Sequence, residues 1–105
     1  MASTPTVLYR GAASTTTTTV LYTVPSSTTT IVSNIIVANT SGSAGTFTLA
    51  MGPSAGQVAI ATTVAIAANA IVTLDIKQPL VATNTITGGA SATSINFSIG
   101  GVQIV

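Results

Sequence analysis

The chain has 105 residues, 47% of them hydrophobic, and only three carry a charge: Arg10, Asp75 and Lys77. It contains no histidine and no cysteine. These counts exclude disulfides and His/Cys metal clusters. They also exclude, within one chain, the paired titrating groups that acid–base or covalent catalysis requires.

A chain of this length is most simply one domain, long enough to bury a core without staples. Its charged fraction is 3%, against about 25% in ordinary globular proteins. Threonine, serine, alanine and asparagine take the place of the charges. A net charge of +1 gives a free monomer little electrostatic repulsion to keep it dispersed. Such a surface suits a protein packed against neighbours. With Arg10 and Lys77 far apart in sequence, no basic patch exists for phosphate backbones, so no nucleic-acid partner is expected. The first residues show neither a basic region nor a long apolar one, and no stretch approaches ~18 uninterrupted apolar residues. Neither a secretory leader nor a membrane partner is expected. No enzyme activity, cofactor or metal is expected either, unless another chain donates the reacting groups.

Thr, Val and Ile favour strands, because β-branched side chains lose freedom in helices and pack well on a pleated surface. Runs of them alternate with turn-formers. Strands are expected over 6–10, ended by Gly11, and over 18–24, ended by Pro25. The longest run is 28–39, followed by a turn over 39–45 and a strand over 46–51. Gly52-Pro53 breaks the chain. Further runs cover 58–66, 71–77, 83–87, 94–99 and 102–105, with Gly88-Gly89 and Gly100-Gly101 read as turns. The Ala-rich stretch 59–70 competes as a helix, but Thr62, Thr63, Val64 and Ile66 interrupt it and strand is preferred. The set predicts an all-β, single-domain antiparallel β-sandwich, Ig-like or jelly-roll-like, of about 7–9 short strands. Residues 1–18 form a Thr-rich N-terminal arm with the first strand, and residues 19–105 form the sandwich.

Alternation locates the inner face. Phe47, Leu49 and Met51 share a face, as do Val72, Leu74 and Ile76, and Ile95, Phe97 and Ile99. In the longest run Ile31, Ile35 and Val37 fall on one face and Val32 and Ile36 on the other. An apolar load on both faces implies a central strand, or one whose outer face meets another subunit.

Four features invite functional readings. Thr6-Val7-Leu8-Tyr9 recurs as Thr19-Val20-Leu21-Tyr22, which suggests two similar strands rather than a β-solenoid, since a solenoid needs at least three repeats. The contiguous run Thr15 to Thr19 invites ice binding, but reads more simply as a solvated loop. Asp75 and Lys77, two apart on a strand, point to the same side. They form either an inter-subunit ion pair, with Arg10 a further candidate, or a solvated surface pair. Tyr9 and Tyr22 could stack on a sugar, yet at equivalent places in a repeated tetrapeptide they read as core or rim.

One resemblance spans most of the chain. Tyr9-Arg10-Gly11, Tyr22-Thr23-Val24-Pro25, the run Ile31 to Thr40, Asn84-Thr85-Ile86 and Ile99-Gly100-Gly101-Val102 together resemble small virion structural proteins of tailed bacteriophages. In these, a strand ending in Val-Pro precedes a Thr-rich turn and an apolar strand ending in Asn-Thr. The resemblance implies a β-sandwich attached to a capsid as decoration, or to a tail or baseplate as a minor component, and brings no catalytic residues. The expectation is a capsid decoration (cement) protein that stabilises the shell by bridging subunits. Its localisation is the virion, assembled in the host cytoplasm. Its partners are the major capsid protein or tail proteins, and further copies of itself, a trimer among the options. The alternatives are a minor tail or baseplate protein and a virion-displayed carbohydrate-binding module. Candidate contact residues are Leu8, Tyr9 and Arg10 in the N-terminal arm and the outward Val32 and Ile36. Asp75 and Lys77, and Ile104 and Val105 in the last strand, complete the set.

Overall fold

The computed structural model describes residues 3–53 and 56–105. Met1 and Ala2, part of the expected arm, lie outside the described residues. Eight strands follow in order: β1 (Ser3–Ala12), β2 (Val20–Thr23), β3 (Thr29–Asn39), β4 (Gly45–Gly52), β5 (Val58–Ile66), β6 (Ile71–Leu80), β7 (Thr85–Ala90) and β8 (Ile95–Ile104). They pair antiparallel in two four-stranded sheets, ordered β1-β8-β3-β6 and β2-β7-β4-β5. Only β4 and β5 are both consecutive and paired; every other connection crosses between sheets. Of the two sandwich types expected, this winding is the jelly roll.

The core is built from the alternating inward residues of both sheets. Phe47, Leu49 and Met51 of β4 and Ile86 of β7 face Val32, Ile35 and Val37 of β3 and Ile95, Phe97 and Ile99 of β8, all buried. Phe47 and Phe97 come from opposite sheets and meet edge to face, with ring centroids 6.4 Å apart at 73°. That geometry places the positive edge of one ring against the negative face of the other. Polar side chains close the ends of the sandwich. Asn39 donates from Nδ2 to Ser43 O (2.8 Å) and Ala67 O (3.2 Å), and its Oδ1 accepts from the Ser41 N–H (3.0 Å). One side chain thereby ties the β3–β4 turn to the β5–β6 turn.

The structure departs from the sequence reading at several places. Val32, expected to point outward, is fully buried. The register of β3 shifts between Val32 and Asn34 against both β6 and β8, so Val32 falls in phase with Ile35 and Val37. A bulge of this kind is invisible to a strict period of two. Ile31 becomes outward instead. The glycine pairs are not turns, because Gly88-Gly89 lies inside β7 and Gly100-Gly101 inside β8. They are required by close approach. A Cβ on Gly101 would lie 2.5 Å from the carbonyl oxygen of Ile31, and one on Gly89 2.6 Å from those of Ser14 and Thr16. The last strand is therefore continuous from Ile95 to Ile104 and pairs with β1 on one side and β3 on the other. It presents no free backbone edge to a neighbour's sheet. Residues 3–12 likewise form a strand of the sandwich rather than a detached arm. The repeated tetrapeptide supplies β1 and β2, which lie in different sheets. Thr15 to Thr19 lie in the β1–β2 connection, not on a flat sheet, so the regular lattice that ice binding needs is missing there.

Candidate interface on the outer face of the β1-β8-β3-β6 sheet

The strand register aligns outward residues into rows that cross this sheet. One row runs Pro5, Val102, Ile31, Pro79 and is apolar from edge to edge. The next runs Val7, Gly100, Asn34, Asp75, and the one after it Arg10, Ser98, Ile36, Thr73. Ile31, Ile36, Val102 and Ile104 are half-buried here, and Val7 is 50% exposed. Gly100 leaves a flat spot between Val7 and Asn34, where a Cβ would stand 2.9 Å from Asn34 Oδ1.

All three charges of the chain belong to this sheet, at its two edges. Arg10 lies on β1, where its Nε donates to Ser98 Oγ at 3.4 Å. Asp75 and Lys77 lie on β6, with Lys77 Nζ 3.0 Å from Asp75 Oδ1, and both are exposed. Three strand spacings, about 14 Å, separate the edges, so Arg10 does not join the pair. One apolar row beside mixed rows, with the charges at the two edges, fits the anatomy of a protein–protein contact surface. Fully burying one of these aliphatic side chains contributes about 1.5–3 kcal/mol, before association costs are deducted.

Of the sequence-derived contact residues, Arg10, Ile36, Asp75, Lys77 and Ile104 gather on this face. Val105 follows directly and is 67% exposed. Leu8 and Val32 are in the core and cannot contact another subunit. Tyr9 is half-buried against the core, and its hydroxyl donates to Ala12 O at 2.8 Å. Tyr22 spans the sandwich: its Oη lies 2.9 Å from Thr30 Oγ1 and accepts from Gln103 Nε2 at 2.7 Å. Both tyrosines thus pack against the core, in the core-or-rim position preferred from the sequence. Pro5, Val7, Ile31, Pro79 and Val102 escaped the sequence reading. Single strands do not reveal them, since the apolar row exists only once four strands are set in register.

The opposite sheet carries a groove of about 370 Å³ lined by Thr17, Thr18, Val20, Thr48, Ala50, Gln57, Thr85 and Thr87. Its polar groups largely satisfy one another. Gln57 Nε2 donates to Gly52 O and Thr85 Oγ1, both at 2.6 Å, and Gln57 Oε1 accepts from Thr87 Oγ1 at 3.0 Å. Thr48 Oγ1 accepts from the Thr63 N–H at 3.1 Å. Few groups remain to hold a polar ligand.

No protein-family model and no curated protein matches the chain. Solved structures match in fold. A chain of the infectious bursal disease virus T13 particle is 13% identical with a TM-score of 0.56, over 97% of this chain and 30% of that one. A chain of the Gx strain of the same virus is 13% identical, TM-score 0.53, over 97% and 32%. The VP2 subviral particle of that virus gives 12% identity, TM-score 0.54, over 97% and 31%. The chain spans about a third of the length of these three structures, and at these identities the likeness is one of fold.

Proposed function

We propose that this chain is a virion structural protein, and within that class a capsid decoration (cement) protein of a bacteriophage. It acts by adhesion. The outer face of the β1-β8-β3-β6 sheet lies across neighbouring shell subunits and buries its apolar row between them, while Arg10, Asp75 and Lys77 stay at the wetter margin. The observation that carries this reading is that face: an apolar row that crosses all four strands, with the three charged side chains of the chain at the two edges of the sheet. The fold likeness to chains of a virus particle supports it, as does the resemblance of the sequence to phage virion proteins. The partners are then the major capsid protein and further copies of this chain, and the location is the virion, assembled in the host cytoplasm. A tail or baseplate component would use the same face at low copy number.

Mass spectrometry and cryo-electron microscopy of purified particles test the proposal. Decoration requires copies in the hundreds on the shell; a handful at the tail supports the alternative, and absence from particles rejects both. Ile31→Asp and Val102→Asp, which place a charge in the centre of the face, are expected to abolish incorporation while the chain stays folded. Incorporation at wild-type occupancy would reject the assignment of this face.

A further inference from the structure

The two sheets have four edge strands, and three are poor templates for another chain. The β2 edge is four residues long. The β5 edge has two register shifts against β4 and Thr63 at a φ of 49°. The β1 edge is interrupted by Pro5, which lacks an N–H, and by a register shift at Leu8. The remaining edge, β6, is ten residues long and pairs only with β3; it also carries a proline, Pro79, and a register shift against β3 at Ile76 and Lys77, but its exposed and half-buried side chains alternate without a break from Ile71 to Lys77.

We infer that β6 is a self-association edge: two copies pair their β6 strands antiparallel about a two-fold axis at Ile76, joining their β1-β8-β3-β6 sheets into one eight-stranded sheet. In that register each residue lies opposite the one equally far beyond Ile76 in the second copy. Asp75 therefore faces Lys77 of the second copy, and the contact occurs twice. Ile71, 68% exposed, faces Val81, 61% exposed, on the same outer side. On the inner side the half-buried Val72, Leu74 and Ile76 become covered at the open flank of the sandwich. The neighbouring two-folds fail on charge. An axis at Asp75 sets two aspartates face to face, and an axis at Lys77 sets two lysines face to face. Like charges directly opposite destabilise a strand pair.

Lysine and proline on an edge ordinarily deter pairing. Here Lys77 is matched by Asp75 in one register only, so the same residue that deters random pairing selects this one. Pro79 faces Thr73 and supplies no donor, which keeps the ladder short and the association dependent on side chains. A flank about 33 Å long, from ten residues at ~3.3 Å each, and 18 Å deep, the shortest extent of the molecule, offers roughly 600 Å². Two such flanks bury about 1,200 Å² in all, the lower bound for a specific interface.

The inference deepens the assembly reading above by naming a self-contact, and the experiments separate the two. Sedimentation velocity over a concentration series should show a monomer–dimer equilibrium. Asp75→Lys gives an all-cationic edge and Lys77→Asp an all-anionic one, and each should weaken dimerisation about tenfold. An equimolar mixture of the two variants should regain wild-type association as a heterodimer, which no effect confined to one chain can produce. Because the chain has no cysteine, Ile76→Cys should form a disulfide-linked dimer under oxidation. Thr73→Cys should not, since six residues, ~20 Å, separate the two copies of that position. A monomer at every concentration, equal cross-linking of both cysteine variants, or no rescue on mixing would each overturn the inference. A monomeric chain that still enters particles would sink this inference alone. A dimer absent from particles would sink the virion reading alone.

Discussion

Tyr22 tests whether the sandwich is clamped by a polar strut or by apolar packing alone. Gln103 Nε2 can only donate, so Tyr22 Oη accepts from it at 2.7 Å; Tyr22 Oη also shares a hydrogen bond with Thr30 Oγ1 at 2.9 Å, in which either hydroxyl can donate. Thr30 is fully buried. Tyr22→Phe keeps the ring and removes both bonds. Gln103 is half-exposed and recovers water, but Thr30 is left with a buried oxygen short of a partner, which costs about 1–3 kcal/mol. We expect a loss near 2 kcal/mol. A domain of this size shifts by about 4 °C per kcal/mol, so Tm should fall by about 8 °C. Thr30→Val in the Tyr22→Phe background replaces the orphaned hydroxyl with a methyl group of similar shape. The double variant should therefore recover part of the loss, with a coupling of about 1 kcal/mol. Thermal unfolding by circular dichroism and urea titration of the four proteins measures it. A Tyr22→Phe melting curve indistinguishable from wild type, or strictly additive effects in the cycle, would refute the strut.

Gly101→Ala forces a Cβ to within 2.5 Å of a backbone oxygen and should destabilise by about 1–3 kcal/mol. Gly42→Ala, which meets nothing within 4 Å, should leave the urea midpoint unchanged. Phe97→Ala removes one ring of the inter-sheet pair from a fully packed core and should cost about 3–5 kcal/mol by chemical denaturation. Lys77→Ala breaks an exposed pair and should alter monomer stability by less than about 0.5 kcal/mol in low or high salt.

Strands whose apolar and polar residues alternate without interruption were legible from composition and period alone. Phe47, Leu49 and Met51 are inward in β4, and Ile95, Phe97 and Ile99 in β8, as alternation requires. Val72, Leu74 and Ile76 pack against the core while Asp75 and Lys77 point to solvent on the other side. Three things were not legible. The bulge between Val32 and Asn34 reverses the phase of half of β3, and nothing local marks Ser33 as the extra residue. The glycine pairs carry the composition of turns, while the reason for them is a carbonyl on another strand or loop. The outer apolar row combines residues from β1, β8, β3 and β6, whose adjacency depends on the winding of the whole chain.

Charge is dispensable for this fold, and that gives the three charges their meaning. Among the described residues every buried side-chain nitrogen or oxygen has a hydrogen-bond partner. Those partners are hydroxyls, amides and backbone groups, as at Asn39, Tyr22 and Gln57. The only ion pair among the described residues is exposed and holds no two elements together. Hydration of the surface can rest on threonine and serine. On the proposed assembly reading, three charges confined to the margins of one sheet are placed by what that sheet meets. On the β1 margin Arg10 reaches no further than Ser98. On the β6 margin the two opposite charges sit on either side of Ile76, an arrangement that is self-complementary only when a second copy runs antiparallel. Moving the pair to another strand at unchanged net charge should leave folding intact and abolish self-association. Retention of association by such a relocated pair would mean that the apolar flank, not the charges, sets the register.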